Sequence, residues 1–335
     1  MLKGISRRGL IASTMLLAAF GVARAETIEL KLSHYLPPNH TWHKVLEEWA
    51  QDIDKRSSGR LKVSIYPAAQ LGPVQRQLDL ARNGQADIAI GLIGATPGRY
   101  PMTELISLPF VFPKAGTGSA VTSQRLSELA PKYLQPEYPG LHILMFGVPP
   151  IVSFFTAKRD LSNIDNVKGL KIRFQGEQNA AMLRELGAAP LQVPPGEIAD
   201  GMSKGVIDGA LFNYEAAESF GLGSVTKHVL EPGITTGALA MVMNTRRYDS
   251  LPPDLKAIID ETTNPATAAA LGKRWDEAEQ HGRDYMKRNN VAIETLAPEQ
   301  VAALKAKLEP QLASAVAAVE KSGKPAKQML EEYQR

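Results

Sequence analysis

The 335-residue sequence contains no cysteine. The chain therefore forms no disulfide, and it offers neither a thiol nucleophile nor a thiolate ligand for a metal. Its fold must be held together by an apolar core, which a chain of this length can supply. Beyond residue 25, no stretch approaches the roughly 18 uninterrupted apolar residues that are typical of a membrane-spanning helix.

Hydrolytic, metal and nucleotide motifs are also missing: the sequence has no HExxH, no GxSxG and no P-loop. His34, His40 and His43 lie close together in the chain and raise the hypothesis of a metal site. We interpret them instead as polar residues at a loop and at the start of a helix. The sequence thus predicts no catalytic residue, no metal ligand and no cofactor.

The first 25 residues predict an export signal. Arg7 and Arg8 precede an apolar run over residues 10–22, and Ala23-Arg24-Ala25 supplies the small residues that a signal peptidase reads. The paired arginines resemble a twin-arginine signal, while an ordinary secretory signal remains the alternative. We therefore expect a periplasmic protein.

Charge excludes a nucleic-acid binder. Four of the 38 basic residues and none of the 35 acidic residues lie within residues 1–25, which leaves 34 basic and 35 acidic residues in the remaining chain. Because these charges are mixed in sign along the chain, no basic surface is expected after the signal is removed.

The order of the predicted elements indicates an α/β fold. Strands are predicted at residues 28–33, 61–66 and 86–90, with amphipathic helices at residues 43–55 and 74–83 between them. Alternating strands and helices predict a mostly parallel sheet with crossover helices. A second series of the same kind is predicted over residues 169–212.

The two series share one turn, in which a helix ends at a glycine and an aspartate three residues later opens the next strand. The turn occurs at Gly84 with Asp87 and again at Gly205 with Asp208. It supports two similar lobes that close over a ligand by hinge motion. We predict the first lobe at residues 26–147 with 237–265 returning to it, the second at 148–236, and C-terminal helices packing across both at 266–335.

Arg173 is the strongest candidate for a binding residue. In the strand that contains it, Leu170, Ile172 and Phe174 share one face, whereas Lys171 and Arg173 share the other. One interpretation is a half-buried strand whose polar face meets solvent. The other places Arg173, with Gln175 beside it, at the carboxyl end of the strand, where open α/β sheets bind their ligands. A guanidinium there would match a carboxylate with two parallel hydrogen bonds.

The strand belongs to a series of segments that occur in the same order in one known family. The segments are residues 166–173 (NVKGLKIR), 71–72, 84–89 (GQADIA), 108–112 (LPFVF), 186–195, 205–209 (GVIDG), 243–245 and 251–255. Together they resemble the extracytoplasmic solute receptors of TRAP transporters, of the dicarboxylate-binding type. The resemblance implies a two-lobe periplasmic-binding-protein-like fold with a hinged cleft, a role for Arg173 in pairing with the ligand carboxylate, and a two-subunit membrane permease driven by sodium as partner.

Departures from the family pattern bear on the ligand. Many members carry an additional arginine where this chain has Ser153, which argues against a ligand that needs a second cation. Where members place a ligand contact after the second turn, this chain has Phe212 and Asn213. With Phe154 nearby and Tyr35 as a first-lobe candidate, these residues favour a monocarboxylate with an apolar body, such as a 2-oxo acid, an aromatic acid or another organic acid.

Two alternatives stay open from the sequence. A periplasmic enzyme acting on a carboxylate would use the same cleft but would require a positioned general acid or base. A receptor of an ABC-type transporter would share the fold and differ in its partner.

Overall fold

The computed structural model describes residues 27–335, so the predicted export signal at residues 1–25 lies outside the described residues. Eleven strands are described within this range: β1 (Ile28–His34), β2 (Leu61–Tyr66), β3 (Ile88–Leu92), β4 (Leu141–Gly147), β5 (Val152–Thr156), β6 (Lys171–Arg173), β7 (Ala189–Leu191), β8 (Gly209–Phe212), β9 (His228–Thr235), β10 (Leu239–Asn244) and β11 (Ala292–Thr295). The helices of the same range are α1 (Thr41–Arg56), α2 (Gln77–Arg82), α3 (Pro101–Glu104), α4 (Ser119–Leu129), α5 (Gly176–Glu185), α6 (Ile198–Ser203), α7 (Tyr214–Ser219), α8 (Thr245–Asp249), α9 (Pro253–Thr262), α10 (Pro265–Arg288), α11 (Pro298–Lys321) and α12 (Ala326–Tyr333). None of these helices has the length and apolar character that crossing a bilayer requires.

The strands form two sheets, and we call each sheet with the helices on its faces a lobe. The first sheet has the order β2-β1-β3-β10-β4, and the second has the order β11-β9-β5-β8-β6-β7. Each sheet carries buried hydrophobic clusters on both faces. The two-lobe α/β fold predicted from the sequence is therefore confirmed, whereas the exact lobe boundaries stay a proposal.

The two sheets are built alike, as the shared turn predicted. Gly84 and Gly205 both adopt a left-handed conformation, with φ of 73° and 69°. The carboxylate of Asp87 accepts a hydrogen bond from the Lys31 amide at 2.8 Å, and that of Asp208 accepts one from the Lys171 amide at 2.8 Å. In both lobes the aspartate thus ties the start of one strand to its parallel neighbour.

Two expectations need correction. The sheets are mixed rather than mostly parallel, because β10 and β5 each enter from the opposite lobe and run antiparallel to both of their neighbours. The C-terminal segment is also not purely helical, since β11 pairs in parallel with β9 and extends the second sheet. β11 is only four residues long and lies between the two 24-residue helices α10 and α11. Its apolar pattern is too short to predict a strand there.

Two short connectors and one long helix join the lobes. Residues 148–151 lead from β4 to β5, and residues 236–238 lead from β9 back to β10. The connectors are bonded to each other, because the Thr236 hydroxyl donates to the Pro149 carbonyl oxygen at 2.8 Å. The third connection, α10, contacts α4 in the first lobe and α7 in the second.

Helix α10 contacts both lobes backbone to backbone. A Cβ atom at Gly272 would lie 2.4 Å from the Ser119 carbonyl oxygen, and one at Gly282 would lie 2.4 Å from that of Tyr214. Asp276 of α10 accepts hydrogen bonds from the first amides of α4, at Ser119 and Ala120 (2.7 and 3.1 Å). Carboxylates are favoured at helix N-termini, where amide groups lack partners within the helix.

Candidate functional site

The candidate site is centred on Arg173, at the carboxyl end of β6. Its side chain is only 2% exposed, so the interpretation of a solvent-facing polar strand face is wrong. The guanidinium donates from Nε to the Val193 carbonyl oxygen (3.1 Å) and from Nη1 to the Leu211 carbonyl oxygen (3.2 Å). Its central carbon lies 5.3 Å from the centre of the Phe212 ring. Backbone on both sides of β6 therefore fixes the orientation of the fork.

The charge of Arg173 has no carboxylate partner within residues 27–335. Burial lowers the pKa of Arg173 to about 10, and the phenol of Tyr35 opposes this effect. The guanidinium consequently stays charged at neutral pH, while its Nη2 makes no hydrogen bond to the described part of the chain. A buried ion without a partner is unfavourable by several kcal/mol. A bound carboxylate would supply both the missing charge and acceptors for the free edge of the fork.

Arg173 faces a small cavity between the lobes. Aromatic and apolar side chains form most of its wall. Among the described residues that line it, Arg173 alone carries a charge at neutral pH, because burial lowers the pKa of the His40 imidazole. The lining residues are Tyr35, Leu36, His40, Leu92, Pro149, Arg173, Gln175, Pro195, Phe212, Asn213, Ala216, Phe220, Leu239 and Trp275. A small organic acid with an apolar body matches this combination.

The structure brings five of the seven predicted ligand-binding residues to this cavity, namely Arg173, Phe212, Asn213, Gln175 and Tyr35. The other two, Ser153 and Phe154, lie on β5. Phe154 is paired with Leu211 and packs with it in the core on the opposite face of the second sheet, so the predicted ligand contact of Phe154 is wrong. Ser153 is paired with Phe212 and is buried, but it does not line the cavity.

Nine lining residues were not predicted as ligand contacts, and three of them carry aromatic rings: His40, Phe220 and Trp275. His40 caps α1, because its Nδ1 accepts a hydrogen bond from the Trp42 amide at 3.1 Å. This confirms the interpretation of His40 as a helix-start residue, and within residues 27–335 no cluster of ligating side chains is arranged to hold a metal ion. Trp275 lies on α10, where the available signal is a lone tryptophan among alanine and charged residues.

Glu215, at the start of α7, holds the lobes together on one side of the cavity. Its Oε1 accepts hydrogen bonds from the amide and the hydroxyl of Thr41, both at 2.9 Å. Its Oε2 lies 3.2 Å from His40 Nε2 and accepts a hydrogen bond from Trp275 Nε1 at 3.1 Å. This buried carboxylate therefore joins first-lobe residues and α10 to the second lobe, next to two lining residues.

On the other side of the cavity, the lobes meet at Gly94 and Gly176. A Cβ atom at Gly94 would lie 2.6 Å from the Gly176 nitrogen, so the two backbones are in direct contact. Beside this contact, Glu104 accepts a hydrogen bond from the Gly98 amide of its own lobe (2.8 Å) and one from the Glu177 amide of α5 (3.3 Å). The described conformation is thus a closed one.

The buried Glu104 carboxyl predicts a pH-dependent stability. Burial raises its pKa from 4.5 to about 7, with a smaller contribution from Glu177 and Glu137. A raised folded-state pKa adds stability that is complete below pH 4.5 and is lost as the pH rises through 7. We expect wild-type protein to lose on the order of 2 kcal/mol of unfolding free energy relative to Glu104→Gln between pH 5 and pH 8.

Urea denaturation of both proteins at the two pH values measures this difference, because the titration of all other groups cancels between them. Parallel stability curves for Glu104→Gln and wild type would contradict the prediction.

Comparison with known proteins gives consistent matches over most of the chain. A family model described as bacterial extracellular solute-binding protein, family 7 (DctP) matches residues 32–318. Among curated proteins, the C4-dicarboxylate-binding periplasmic protein DctP of Rhodobacter capsulatus is 24% identical over 304 residues, which cover 90% of each chain.

Solved structures are similar in both fold and sequence. A TRAP solute-binding protein from Rhodoferax ferrireducens, in complex with copurified benzoate, superposes with a TM-score of 0.87 at 28% identity, covering 92% of this chain and 96% of the other. A TRAP solute-binding protein from an unidentified marine microbe, specific for aromatic acid ligands and bound to 3-hydroxybenzoate, gives a TM-score of 0.86 at 27% identity, covering 92% and 97%.

Proposed function

The chain belongs to the DctP family, the bacterial extracellular solute-binding proteins of family 7, and we propose that it is a periplasmic receptor for a small monocarboxylic acid. The observation that carries the proposal is the buried Arg173, which lacks a carboxylate partner within residues 27–335 and faces a ring-lined cavity. In this proposal, the ligand carboxylate completes the hydrogen bonding of the guanidinium and neutralises its charge.

The apolar wall supports an aromatic acid as the ligand body. Phe212, Phe220 and Trp275 supply ring faces and edges, and Leu92 and Leu239 supply further apolar surface. Two similar proteins, crystallised with benzoate and with 3-hydroxybenzoate, bind acids of this shape. A dicarboxylate fits less well, because the cavity wall offers no second guanidinium or ammonium group.

The proposal includes delivery of the acid to a sodium-driven TRAP permease in the membrane. A ligand favours closure only if it binds the closed form better than the open one. Arg173 reaches the ligand from the second lobe, whereas Tyr35, Leu36 and Leu92 reach it from the first, so full contact requires both. The closed protein then presents a surface that the open protein lacks, and the permease recognises the closed form by this surface.

Thermal unfolding with a panel of matched ligands tests the proposal. Benzoate, phenylglyoxylate and mandelate are expected to raise the melting temperature by several degrees, since a ligand at about 100 times its Kd stabilises by about 2.7 kcal/mol. Benzamide, which has the same ring without the charge, and succinate, which has two charges without the ring, should give little or no rise.

The bound acid should be recovered unchanged after long incubation. Proteoliposomes that carry a TRAP permease should take up the labelled acid only with this protein and an inward sodium gradient. Equal stabilisation by benzamide and benzoate would contradict recognition through Arg173, and steady conversion of the acid would contradict a receptor.

A further inference from the structure

Three histidines lie between the end of β1 and the first turn of α1, and each ring accepts a hydrogen bond at Nδ1. His34 Nδ1 accepts from the Leu36 amide at 3.2 Å, and His40 Nδ1 accepts from the Trp42 amide at 3.1 Å. A backbone amide can only donate, so these two neutral rings carry their proton on Nε2. His34 Nε2 therefore donates to His43 Nδ1, at 3.1 Å.

The remaining two Nε2 atoms face carboxylates. His40 Nε2 lies 3.2 Å from Glu215 Oε2, and His43 Nε2 lies 3.2 Å from Glu47 Oε1. Both nitrogens of all three rings are thus bonded in the neutral state. An added proton can only enter at Nδ1, where it would face an N–H group, so each protonation replaces a hydrogen bond by repulsion.

The surroundings of the rings favour the neutral state. Burial has the largest effect and lowers the pKa of His40, with Glu215 opposing this effect and with His43 and Lys44 adding to it. Burial likewise lowers the pKa of His34 to about 3, and the two neighbouring histidines act in the same direction. The Glu47 side chain is 56% exposed, so solvent screens its attraction for a charged ring.

Residues 34–43, which we call the histidine segment, form part of the cavity wall and part of the contact between the lobes. Three of these residues line the cavity, namely Tyr35, Leu36 and His40. Besides the bonds from Thr41 to Glu215, the Asn39 Nδ2 donates to the Ser219 carbonyl oxygen of the second lobe at 3.2 Å. Loss of the hydrogen bonds to the rings consequently displaces the wall and weakens the closed conformation.

We propose that the histidine segment is an acid-sensitive element, in which protonation of its rings loosens the first-lobe wall of the cavity and weakens ligand binding. The inference rests on the proposed function, because it concerns the affinity of the same cavity. A histidine that is neutral in the complex and free to bind a proton without ligand weakens binding about tenfold at pH 5.5, since its unperturbed pKa is about 6.5. The ligand is thus held at neutral pH and released on acidification.

Calorimetric titration with benzoate at pH 7.5 and pH 5.5 tests the inference in wild type and His43→Asn. Asparagine keeps an acceptor for the His34 ring but does not titrate. Between the two pH values, the Kd of wild type should rise by about threefold or more beyond that of the variant. Burial raises the pKa of Glu104 and of Glu279 on α10 to about 7. Both carboxyls are present in wild type and variant, so their effect on closure cancels, as does the ionisation of benzoate itself.

A second variant and a control assign the effect. His40→Asn should also reduce the pH dependence of the Kd, because asparagine is a favoured N-cap that keeps the acceptor for the Trp42 amide. His142→Asn is the matched control, since burial lowers the pKa of His142 too, and this residue lies in the first lobe without lining the cavity. Its ratio of Kd values should equal that of wild type.

Proton NMR of the histidine rings in wild type gives a measurement that does not depend on the folding of a variant. Saturating benzoate should lower the titration midpoint of at least one ring of the histidine segment by about one pH unit and leave that of His142 unchanged. This follows by linkage, because a proton that weakens ligand binding must itself bind less well when the ligand is present.

The outcomes separate this inference from the proposed function. Equal pH dependence of the Kd in wild type, His40→Asn and His43→Asn, with ring titrations that benzoate does not change, would overturn the acid-sensitive element and leave the receptor proposal standing. An equal reduction in His142→Asn would overturn the assignment to the histidine segment. Failure of wild type to bind any acid of the thermal panel at pH 7.5 would overturn both.

Discussion

Replacing Arg173 by methionine is expected to abolish the rise in melting temperature that an aromatic acid produces. Removing one partner of a buried charge pair typically costs about 2–5 kcal/mol, which corresponds to a roughly 30- to 4,000-fold weaker Kd. Ligand-free protein should unfold at nearly the wild-type temperature or above it, because the substitution removes a buried charge that the described chain leaves without a carboxylate partner. Calorimetric titration and thermal unfolding measure the two effects separately.

Arg184→Met is the matched control for this prediction, since Arg184 lies on α5 with 57% of its side chain exposed and pairs with Glu177 at the surface. It should leave the Kd unchanged. Arg173→Lys should bind with intermediate affinity, because an ammonium keeps the charge but not the planar fork. A Kd for Arg173→Met within threefold of wild type would refute the central role of this residue, and unfolding of the ligand-free variant would favour a structural one.

Replacing Gly94 by valine is expected to prevent full closure of the lobes. A Cβ atom at this position would lie 2.6 Å from the Gly176 nitrogen and 2.8 Å from the carbonyl carbon of Gln175. A carbon atom cannot approach the backbone that closely. The valine side chain therefore clashes with the second lobe only when the two lobes close. Overpacking of this kind typically costs about 1–3 kcal/mol, and we expect a roughly 5- to 150-fold weaker Kd.

Small-angle X-ray scattering distinguishes this mechanism from loss of fold. Saturating ligand should reduce the radius of gyration of wild type but not that of Gly94→Val, while the ligand-free melting temperature stays close to wild type. Gly196→Val serves as the control, because a Cβ atom at Gly196 has no atom within 4 Å in the described structure. Normal closure and affinity in Gly94→Val would show that the two glycines need not touch when the ligand binds.

Much of this site could be predicted from local sequence patterns. The alternation around Arg173 and the turn after it placed the guanidinium at the carboxyl end of a strand, and burial then decided between the two interpretations. The turns at Gly84 and Gly205, each followed by an aspartate, also predicted the similarity of the two lobes. A left-handed residue at the end of a helix is usually glycine, so this signal is contained in the local sequence.

What the sequence could not predict depends on faces and on distant contacts. All five residues of β5 are buried, so no polar alternation indicates which of its faces meets the cavity, and Phe154 was placed on the wrong one. Glu279 reaches Asn213 across 66 positions of sequence from α10. This contact depends on how α10 is rotated about its own axis. Close packing at Gly272 and Gly282 sets that rotation, and no local sequence pattern predicts it.

The hydrogen bond between Thr236 and Pro149 has a mechanical consequence. Two chain segments that run side by side and are bonded to each other resist sliding and twisting far more than bending, and α10 adds a third attachment at a distance from them. The relative motion of the lobes is thereby reduced to something close to one angular coordinate. A molecule with so few internal degrees of freedom has little entropy to lose on capturing its ligand, so more of the contact energy remains as affinity.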